Sequence, residues 1–408
     1  MAKKRKAGKK KDEGQLWAVY AAVIILLFLD AFRLPVVTVQ ITLAVILFFE
    51  VFLKMHHKSL LTDTKFFLLL AAMLLHVVIY NDRVANMGMG RTLALGTFPA
   101  LYYLLGKQLL YYPCQGKNDI RKMWYAAGAV MAGHFVFSVI EIYSFYSFSG
   151  YPSRIWGDFW TGETYYATRY SFYAVIWVSL LFYSLWMIGK KRLSGLGLLA
   201  GILMINGLNI FNQNRMHLGV LIVVFLATLV IFCIQNRNNR KIIFGVMCAS
   251  VCIGLLFLAI WFFNVGNIKD IPYMRRFLNL TSNERFGIYI RAIKQMPMYL
   301  WGGRQMDLGS YGHAHNMWLQ TYNDSGVIPF TLLCIFTLLN IWDCVKLVMS
   351  KGIDEEYKYM IPSVCLGFIL YFMFEEGGEH YIVYYTLFAG MAAKIVQENK
   401  PFVKNRRR

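Results

Sequence analysis

Two histidines and an asparagine stand close together immediately before a long apolar run. The segment YGHAHNMWLQTYNDSG, residues 311–326, contains His313, His315 and Asn316, and the chain that follows is almost wholly apolar. A neutral imidazole titrates near working pH, so it can accept a proton from a hydroxyl group. His315 is therefore a candidate general base, although a histidine at such a boundary is also commonly structural.

A second group of polar residues interrupts the apolar chain further upstream. The stretch IFNQNRMHLG contains Asn214 and Arg215 in a very short turn between two apolar runs. An arginine so close to hydrocarbon needs an anion, and its planar guanidinium suits a phosphate group. The alternative is that Arg215 reaches the phosphates of the surrounding lipids.

The segment between Phe263 and Gly326 has an excess of positive charge. Its basic residues are Lys269, Arg275, Arg276, Arg285, Arg291, Lys294 and Arg304, against four acidic residues. Such an excess indicates either an anionic ligand or contact with acidic lipid headgroups.

The same segment contains the pattern of a short helix. The sequence TSNERFGIYIRAIKQMP begins with a capping box, Thr281 and Glu284, and ends at Pro297. Its apolar side chains recur at helical spacing at Phe286, Ile290 and Ile293. Its basic side chains, expected on the polar face, are Arg285, Arg291 and Lys294. We expect this helix to lie at the outer surface, followed by a glycine turn, YLWGGR, that permits close approach of the backbone.

Ionisable residues also occur inside apolar runs and in the last outer turn. Asp30, His134 and Glu141 lie where a charge costs several kcal/mol unless it is paired or neutral. His134 and Glu141 share one helix face, which fits an interhelical hydrogen bond or a proton path. The last turn, FEEGGEHY, contains Glu375 among acidic residues that could line an outward-facing cavity.

The elements that must position all these residues are membrane helices. Hydrophobic residues make up 58% of the 408 residues and charged residues 16%, which a water-soluble domain would not tolerate on its surface. Runs long enough to cross about 30 Å of hydrocarbon predict an all-α integral membrane protein of about twelve helices. The predicted spans are 16–33, 36–53, 66–80, 92–112, 123–146, 169–188, 195–211, 217–234, 242–263, 326–345, 360–374 and 381–396.

The basic residues between spans predict the orientation, because lysine and arginine remain in the cytoplasm during insertion. They place both termini in the cytoplasm. The chain then divides into a basic tail at 1–15, nine spans at 16–263, a partly helical outer loop with the catalytic elements at 264–325, three spans at 326–396 and a basic tail at 397–408. We expect the tails to contact acidic membrane lipids, and nucleic-acid binding is not expected.

The order of these elements resembles the O-antigen ligase and polymerase superfamily of lipid-linked glycan transferases. That family combines an Asn-Arg turn, an arginine before an amphipathic helix, a proline, a glycine turn, and then His-Asn, an apolar or aromatic pair, Leu-Gln, an acidic residue and Gly. The matching positions here are Asn214–Arg215, Arg285, Pro297, Gly302–Gly303, His315–Asn316, Met317–Trp318, Leu319–Gln320, Asp324 and Gly326.

The resemblance implies a reaction at the outer face of the bacterial cytoplasmic membrane. An oligosaccharide would move from undecaprenyl pyrophosphate to the hydroxyl of a glycan acceptor, without a metal or another cofactor. Arg215 and Arg285 would hold the departing pyrophosphate, and His315 would deprotonate or orient the hydroxyl. The further substrate-binding candidates are Asn214, Arg291, Arg304, His313 and Asn316. Asn316 could instead fix the imidazole or cap the next helix.

The resemblance leaves several functions open. A polymerase joins repeat units of O-antigen, capsule or exopolysaccharide on one carrier, whereas a ligase moves the glycan to another acceptor. The outer stretch YPSRIWGDFWTGETYY favours the polymerase, because its aromatic rings could stack on a growing chain. A chain-length regulator is a further partner that the residues leave open. A flippase for lipid-linked sugars would also have about twelve helices, but the chain has no internal repeat. A scaffold would leave the arrangement of Arg215, Arg285 and His315 unexplained.

Overall fold

The protein is an all-α, multi-pass membrane protein in the computed structural model. The structure describes residues 18–34, 63–85, 88–111, 119–149, 155–157, 164–211, 216–236, 285–309, 312–375 and 382–398, with Leu43, Trp160, Asn214, Gly245, Phe263 and Asn264. Two short strands, β1 (Ile155–Gly157) and β2 (Thr164–Tyr166), pair antiparallel and form a small hairpin.

Thirteen α-helices with described bounds make up most of the remaining regular structure in these residues. Helices α1 to α8 are Ala18–Ala31, Thr64–Tyr80, Met89–Tyr111, Asp119–Ser149, Ala167–Ser179, Leu181–Gly189, Leu193–Phe211 and Met216–Gln235. Helices α9 to α13 are Arg285–Gln295, Met317–Ser325, Val327–Met349, Glu355–Phe374 and Ile382–Glu398. A π-helical turn, Asn81–Ala85, follows α2, and a 3₁₀ turn, Met296–Met298, follows α9.

Seven helical segments of the described chain are long and apolar enough to cross a membrane, fewer than the twelve predicted. They are Thr64–Val84, Ile120–Ser144, Phe172–Gly189, Leu193–Ile210, Met216–Gln235, Val327–Met349 and Glu355–Phe374. Three more predicted spans coincide with α1, α3 and α13. The predicted spans 36–53 and 242–263 lie almost wholly outside the described residues.

Helices α3 and α13 are in close backbone contact, which glycine residues at the contact allow. A Cβ on Gly106 would collide with the carbonyl oxygen of Leu387, and a Cβ on Gly390 would collide with that of Tyr103. Association of membrane helices depends on van der Waals packing, which small residues strengthen by letting the backbones approach. The α3–α13 pair therefore forms a close-packed part of the core.

Two of the ionisable residues buried inside the bundle, Asp30 and His134, form hydrogen bonds with neighbouring hydroxyl groups. The Asp30 carboxylate accepts hydrogen bonds from the hydroxyls of Tyr102 at 2.6 Å and Tyr384 at 2.7 Å. His134 Nε2 lies 3.0 Å from the hydroxyl of Ser138, one turn away on its own helix, and its ring stacks on Tyr173 of α5. These contacts satisfy groups that would be costly in hydrocarbon.

Contacts between antiparallel helices define two ends of the bundle. We define the loop end as the end of the bundle that contains the C-terminal ends of α2 and α12 and the N-terminal ends of α8 and α11. The opposite, far end contains the ion pairs Lys107–Asp63, Lys65–Asp343 and Arg192–Glu356. The candidate site residues in α9 and α10 all lie at the loop end, because Arg285 contacts Phe374 and Ser325 contacts His76 of α2.

Candidate functional site

Two separate loop segments meet at the C-terminal end of α12. The last carbonyl groups of a helix have no partner within the helix. Here the Tyr289 hydroxyl donates to the Met373 carbonyl at 2.8 Å, and Asn316 Nδ2 donates to the same oxygen at 3.1 Å. Arg285 Nη1 donates to the Phe374 carbonyl at 2.7 Å. A cation at this position also interacts favourably with the negative end of the helix dipole.

Glu375 lies between Arg285 and His315. Its Oε1 accepts a hydrogen bond from Arg285 Nη2 at 3.1 Å, and its Oε2 lies 3.8 Å from His315 Nδ1. The carboxylate is buried, with a side-chain exposure of 9%. The imidazole is within ion-pair distance of the carboxylate but beyond ordinary hydrogen-bond length. Catalytic hydrogen bonds are often this long before the substrate binds. The predicted base therefore has an acidic neighbour.

The backbone holds His315 in an unusual conformation. Its φ angle is +46°, in the left-handed region that most non-glycine residues avoid and histidine tolerates better than most. The Tyr289 hydroxyl also lies 3.0 Å from the His315 carbonyl, so its one proton is shared between this oxygen and the Met373 carbonyl. On the other side, Asn316 Oδ1 accepts the Leu319 amide at 3.0 Å and caps α10. Strained residues cluster at functional sites, which makes this position a candidate on backbone grounds as well.

Asn316 was predicted either to fix the imidazole or to cap the next membrane helix. It does cap a helix, but that helix is the short, separate α10. The sequence prediction placed residues up to 325 in the outer loop and began the membrane span at 326, within one residue of the start of α11. The structure instead places the nine-residue α10 first, and α11 begins after Gly326. The positive φ of Gly326 breaks the helical path between them.

His313 packs beside the predicted base. The ring centroids of His313 and His315 are 4.4 Å apart, and the rings are inclined at 63°. Burial lowers the pKa of His313, and its electrostatic interactions with His315, Arg304 and Arg285 lower it further, against an opposite effect of Glu375. His313 therefore stays neutral near pH 7 and contacts His315 as an uncharged ring.

Asp324 organises a second polar network at the loop end. Its Oδ1 accepts hydrogen bonds from Arg304 Nε and Gln320 Nε2, each at 2.7 Å. Gln320 Oε1 in turn accepts the Ala314 amide at 2.8 Å. The Arg304 guanidinium also lies over the ring of Tyr80 in α2, 5.1 Å from its centroid. Arg304 therefore ties the loop to two helices, a structural role that its prediction as a ligand-binding residue did not include.

Replacing Arg304 with glutamine is expected to lower the free energy of unfolding by about 1–3 kcal/mol, because the buried Asp324 carboxylate loses its charged donor and keeps only the hydrogen bond from Gln320. Burial raises the pKa of Asp324, and Arg304 opposes that rise. The folded state therefore holds the Asp324 proton more tightly than the unfolded state does. Stability falls as pH rises through the interval between the ordinary and the raised pKa. Without Arg304 that interval extends to higher pH.

Unfolding of the detergent-solubilised protein between about pH 4 and pH 7 measures this effect. The control is the double variant Arg304→Gln/Asp324→Asn, in which the titrating group is absent and the additional pH dependence should vanish. An Arg304→Gln variant with the same pH dependence as the wild type would show that Arg304 does not act on Asp324.

The predicted glycine turn passes close to the junction of α10 and α11. The Gly303 amide donates to the Asp324 carbonyl at 2.9 Å, and the Val327 amide donates to the Leu300 carbonyl at 2.9 Å. A Cβ on Gly302, whose φ is +70°, would lie 2.6 Å from the backbone nitrogens of Ser325 and Gly326. The two backbone segments can touch only because both contain glycine at the crossing.

The remaining predicted site residues, Arg291, Asn214 and Arg215, are not among the contacts of Glu375 described above. Arg291 Nη2 donates to the Leu308 carbonyl at 3.3 Å. Because a helix turns about 100° per residue, Arg291 and Arg285 point in different directions from α9. Asn214 is buried, and its Oδ1 accepts the Met216 amide at the start of α8 at 3.0 Å. Arg215 lies outside the described residues.

The N-terminal end of α8 lies at the same height in the bundle as Glu375, Arg285 and His315. Two hydrogen bonds join α8 to the antiparallel α12, between Thr228 and Ser363 at 2.8 Å and between Gln235 and Lys358 at 3.0 Å. Both helices rise equally per residue. The buried His217, eleven residues before Thr228, is therefore level with Phe374, eleven residues after Ser363. The turn that contains Asn214 thus belongs to the same end of the bundle as His315.

Sequence reasoning missed two contributors and gave Glu375 a less specific role. Tyr289 lies within the amphipathic pattern but was not recognised as polar support, and Gln320 was noted only as part of a motif. Glu375 was noted only as a cavity-lining residue. Its separation from Arg285, 90 residues along the chain, gives no local signal that the two form an ion pair.

No protein-family model matches the chain, and no curated protein matches it either. The functional assignment therefore depends on the chemistry of the residues at the loop end. That chemistry combines an imidazole, a carboxylate and an arginine in one row, with further cations on the neighbouring loop. Such a row can accept a proton and stabilise the resulting imidazolium.

Proposed function

We propose that the protein is a glycosyltransferase that polymerises undecaprenyl-pyrophosphate-linked oligosaccharide repeats at the outer face of the bacterial cytoplasmic membrane. The observation that carries the proposal is the row His315–Glu375–Arg285 at one end of a membrane-spanning bundle. A substrate that is lipid at one end and sugar at the other requires acid–base groups at this boundary.

The proposed topology has twelve spans, both termini in the cytoplasm and the loop end outside. The distribution of lysine supports this orientation. Of the ten lysines in the described residues, Lys294 lies at the loop end and the other nine lie toward the far end. Lysine is retained on the cytoplasmic side during insertion. The far end is therefore the better candidate for the cytoplasmic side.

The proposed reaction is a direct displacement at the anomeric carbon of the donor sugar. His315 Nδ1 faces Glu375, so Nε2 would take the proton of the acceptor hydroxyl. The hydroxyl oxygen forms the new bond to the anomeric carbon while the bond from that carbon to the pyrophosphate oxygen breaks. The leaving oxygen keeps the electron pair, and the proton later passes from His315 to solvent. Glu375 stabilises the imidazolium formed in this step, and the configuration at the anomeric carbon is inverted.

Arg285 would act in two ways on this proposal. Its ion pair holds Glu375 beside His315, and its hydrogen bonds to other described residues use two of the five guanidinium N–H groups. Donors that are not used for Glu375 and Phe374 can bind the pyrophosphate as charge develops on it. Arg215 would supply the second cation, since its neighbour Asn214 lies in the turn at this end of the bundle.

A double-mutant cycle of Arg285→Gln and Glu375→Gln separates these two actions of Arg285. If Arg285 only positions Glu375, the double variant should lose no more activity than either single variant. If Arg285 also binds the donor, the double variant should lose more than Glu375→Gln alone, which is the expected result. Initial rates with purified lipid-linked donor provide the measurement.

The test of the function itself is reconstitution of the purified protein with an undecaprenyl-pyrophosphate oligosaccharide from the host strain, without divalent metal. A ladder of lipid-linked products supports the polymerase. A single transfer to an added acceptor would instead identify a ligase. Donor movement across liposomes without any product would reject the enzyme and favour a transporter.

A further inference from the structure

Helix α9 exposes the apolar side that its sequence pattern would be expected to bury. Phe286, Ile290 and Ile293, which we call the apolar stripe, are 63%, 55% and 57% exposed. The helix instead packs through Ile288 and Ala292 against a small separate core. The other members of that core are Met306, Leu308, Ala314 and Tyr322. The apolar stripe therefore makes little contact with the protein itself.

The chain just after α9 continues this exposure. Met298 is 71% exposed and Trp301 is 64% exposed. Contiguous apolar surface on this scale marks contact with a membrane or another macromolecule. Tryptophan is also enriched where a protein passes through the boundary between membrane and water.

The two ends of α9 are attached to the ends of different membrane helices. At its start, Arg285 donates to the Phe374 carbonyl of α12. Just beyond its end, the Met296 carbonyl accepts the Tyr322 hydroxyl at 2.6 Å, and the Leu300 carbonyl accepts the amide of Val327, the first residue of α11. Eleven residues span about 16 Å at 1.5 Å per residue. The helix therefore lies across the end of the bundle, level with the membrane boundary.

The rotation of side chains around α9 gives three sectors. At about 100° per residue, Arg291 and Lys294 lie on one flank of the apolar stripe, and the buried residues Ile288 and Ala292 lie beyond them. Both basic side chains are exposed. A helix with an apolar stripe flanked by cations is the kind that lies in the membrane interface, where the cations meet lipid phosphates.

We propose that α9 is an interfacial helix whose apolar stripe is embedded in the lipid leaflet at the loop end. The bilayer is the occupant that fits, because the stripe lies at the level of the span ends and the adjacent cations complement phosphate headgroups. This arrangement would fix the height of Arg285, the first residue of α9, at the headgroup layer. It goes beyond the proposed function and does not require the protein to be an enzyme.

Fluorescence quenching at two matched positions tests this proposal. Ile290→Cys and Arg291→Cys are adjacent positions whose side chains point about 100° apart around α9, and each would carry an environment-sensitive fluorophore in a chain with the seven native cysteines replaced. The labelled proteins are placed in nanodiscs that contain phosphatidylglycerol and brominated phosphatidylcholine. We expect brominated lipid to quench the label at 290 at least about twofold more than the label at 291, and aqueous iodide to do the reverse.

Equal access of iodide to both labels, with no quenching by brominated lipid, would overturn the proposal. A label at 290 that is shielded from iodide in whole membranes but not in nanodiscs of purified protein would also overturn it and indicate a protein partner. If Ile290→Cys does not yield a monodisperse protein, Ile293→Cys places the label in the same stripe and carries the same expectation.

Discussion

Replacing His315 with alanine is expected to reduce the rate of glycosyl transfer by about 10²–10⁴-fold, the usual contribution of a general base. The substitution removes the imidazole that faces Glu375 but keeps the His315 carbonyl that accepts the Tyr289 hydrogen bond. Alanine is strained at φ +46°, so His315→Asn is the better-matched variant, since asparagine tolerates this backbone conformation. Both variants should lose the same activity. Initial rates with the lipid-linked donor give the measurement.

His313→Ala is the matched control, because the His313 ring packs beside His315 at 4.4 Å between ring centroids and is not the proposed proton acceptor. It should retain most of the activity, with at most a modest change in the pH–rate profile. The assignment of the base would be wrong if His313→Ala lost as much activity as His315→Asn. It would also be wrong if His315→Asn remained active while fully folded.

Replacing Gly326 with alanine is expected to destabilise the protein by at least about 3 kcal/mol. Gly326 has φ +88° and ψ −169°, a combination that is essentially restricted to glycine. A Cβ there would overlap the carbonyl oxygen of Leu300 and lie 2.8 Å from the carbonyl carbon of Trp301. The Leu300 carbonyl cannot move away without breaking its bond to the Val327 amide. Thermal unfolding in detergent measures the loss.

Gly352→Ala provides a closely matched control for this substitution. Gly352 also has φ +88°, but nothing lies within 4 Å of a Cβ placed on it. Its replacement should therefore cost only the backbone strain, and the difference between the two variants measures the steric contact at the glycine crossing. Equal destabilisation by the two substitutions would show that the crossing of backbones contributes nothing.

Apolar run length predicted the membrane helices well, because the hydrocarbon thickness fixes the length that a span needs. The prediction was less accurate where a helix ends for a local reason. The tenth span was predicted to begin at 326 and α11 begins at Val327, but the separate helix α10 before it was not predicted, because the break between the two helices depends on the conformation of Gly326. Similarly, the predicted span 169–188 is divided between α5 and α6 at Leu180.

The candidate site was predicted in its residue types but not in its pairings. His315 and Arg285 were identified from the order of motifs, and their placement at one end follows from the alternation of spans. The position of Glu375 between them depends on how the end of α12 meets the loop, which no local pattern specifies. For α9, periodicity identified the helix correctly. Which of its sides is buried and which is exposed depends on tertiary contacts, which periodicity does not specify.

The attachment of the loops to the end of α12 also bears on the biogenesis of the protein. Arg285, Tyr289 and Asn316 are synthesised well before Met373 and Phe374, whose carbonyls hold them in place. During vectorial synthesis and insertion, these loop residues cannot form their hydrogen bonds to α12 until this penultimate predicted span has entered the bilayer. A nascent chain released before that point would contain His315 and Arg285 without Glu375. Premature chains would therefore lack the assembled site, which would limit the proposed reaction to molecules that have nearly completed insertion.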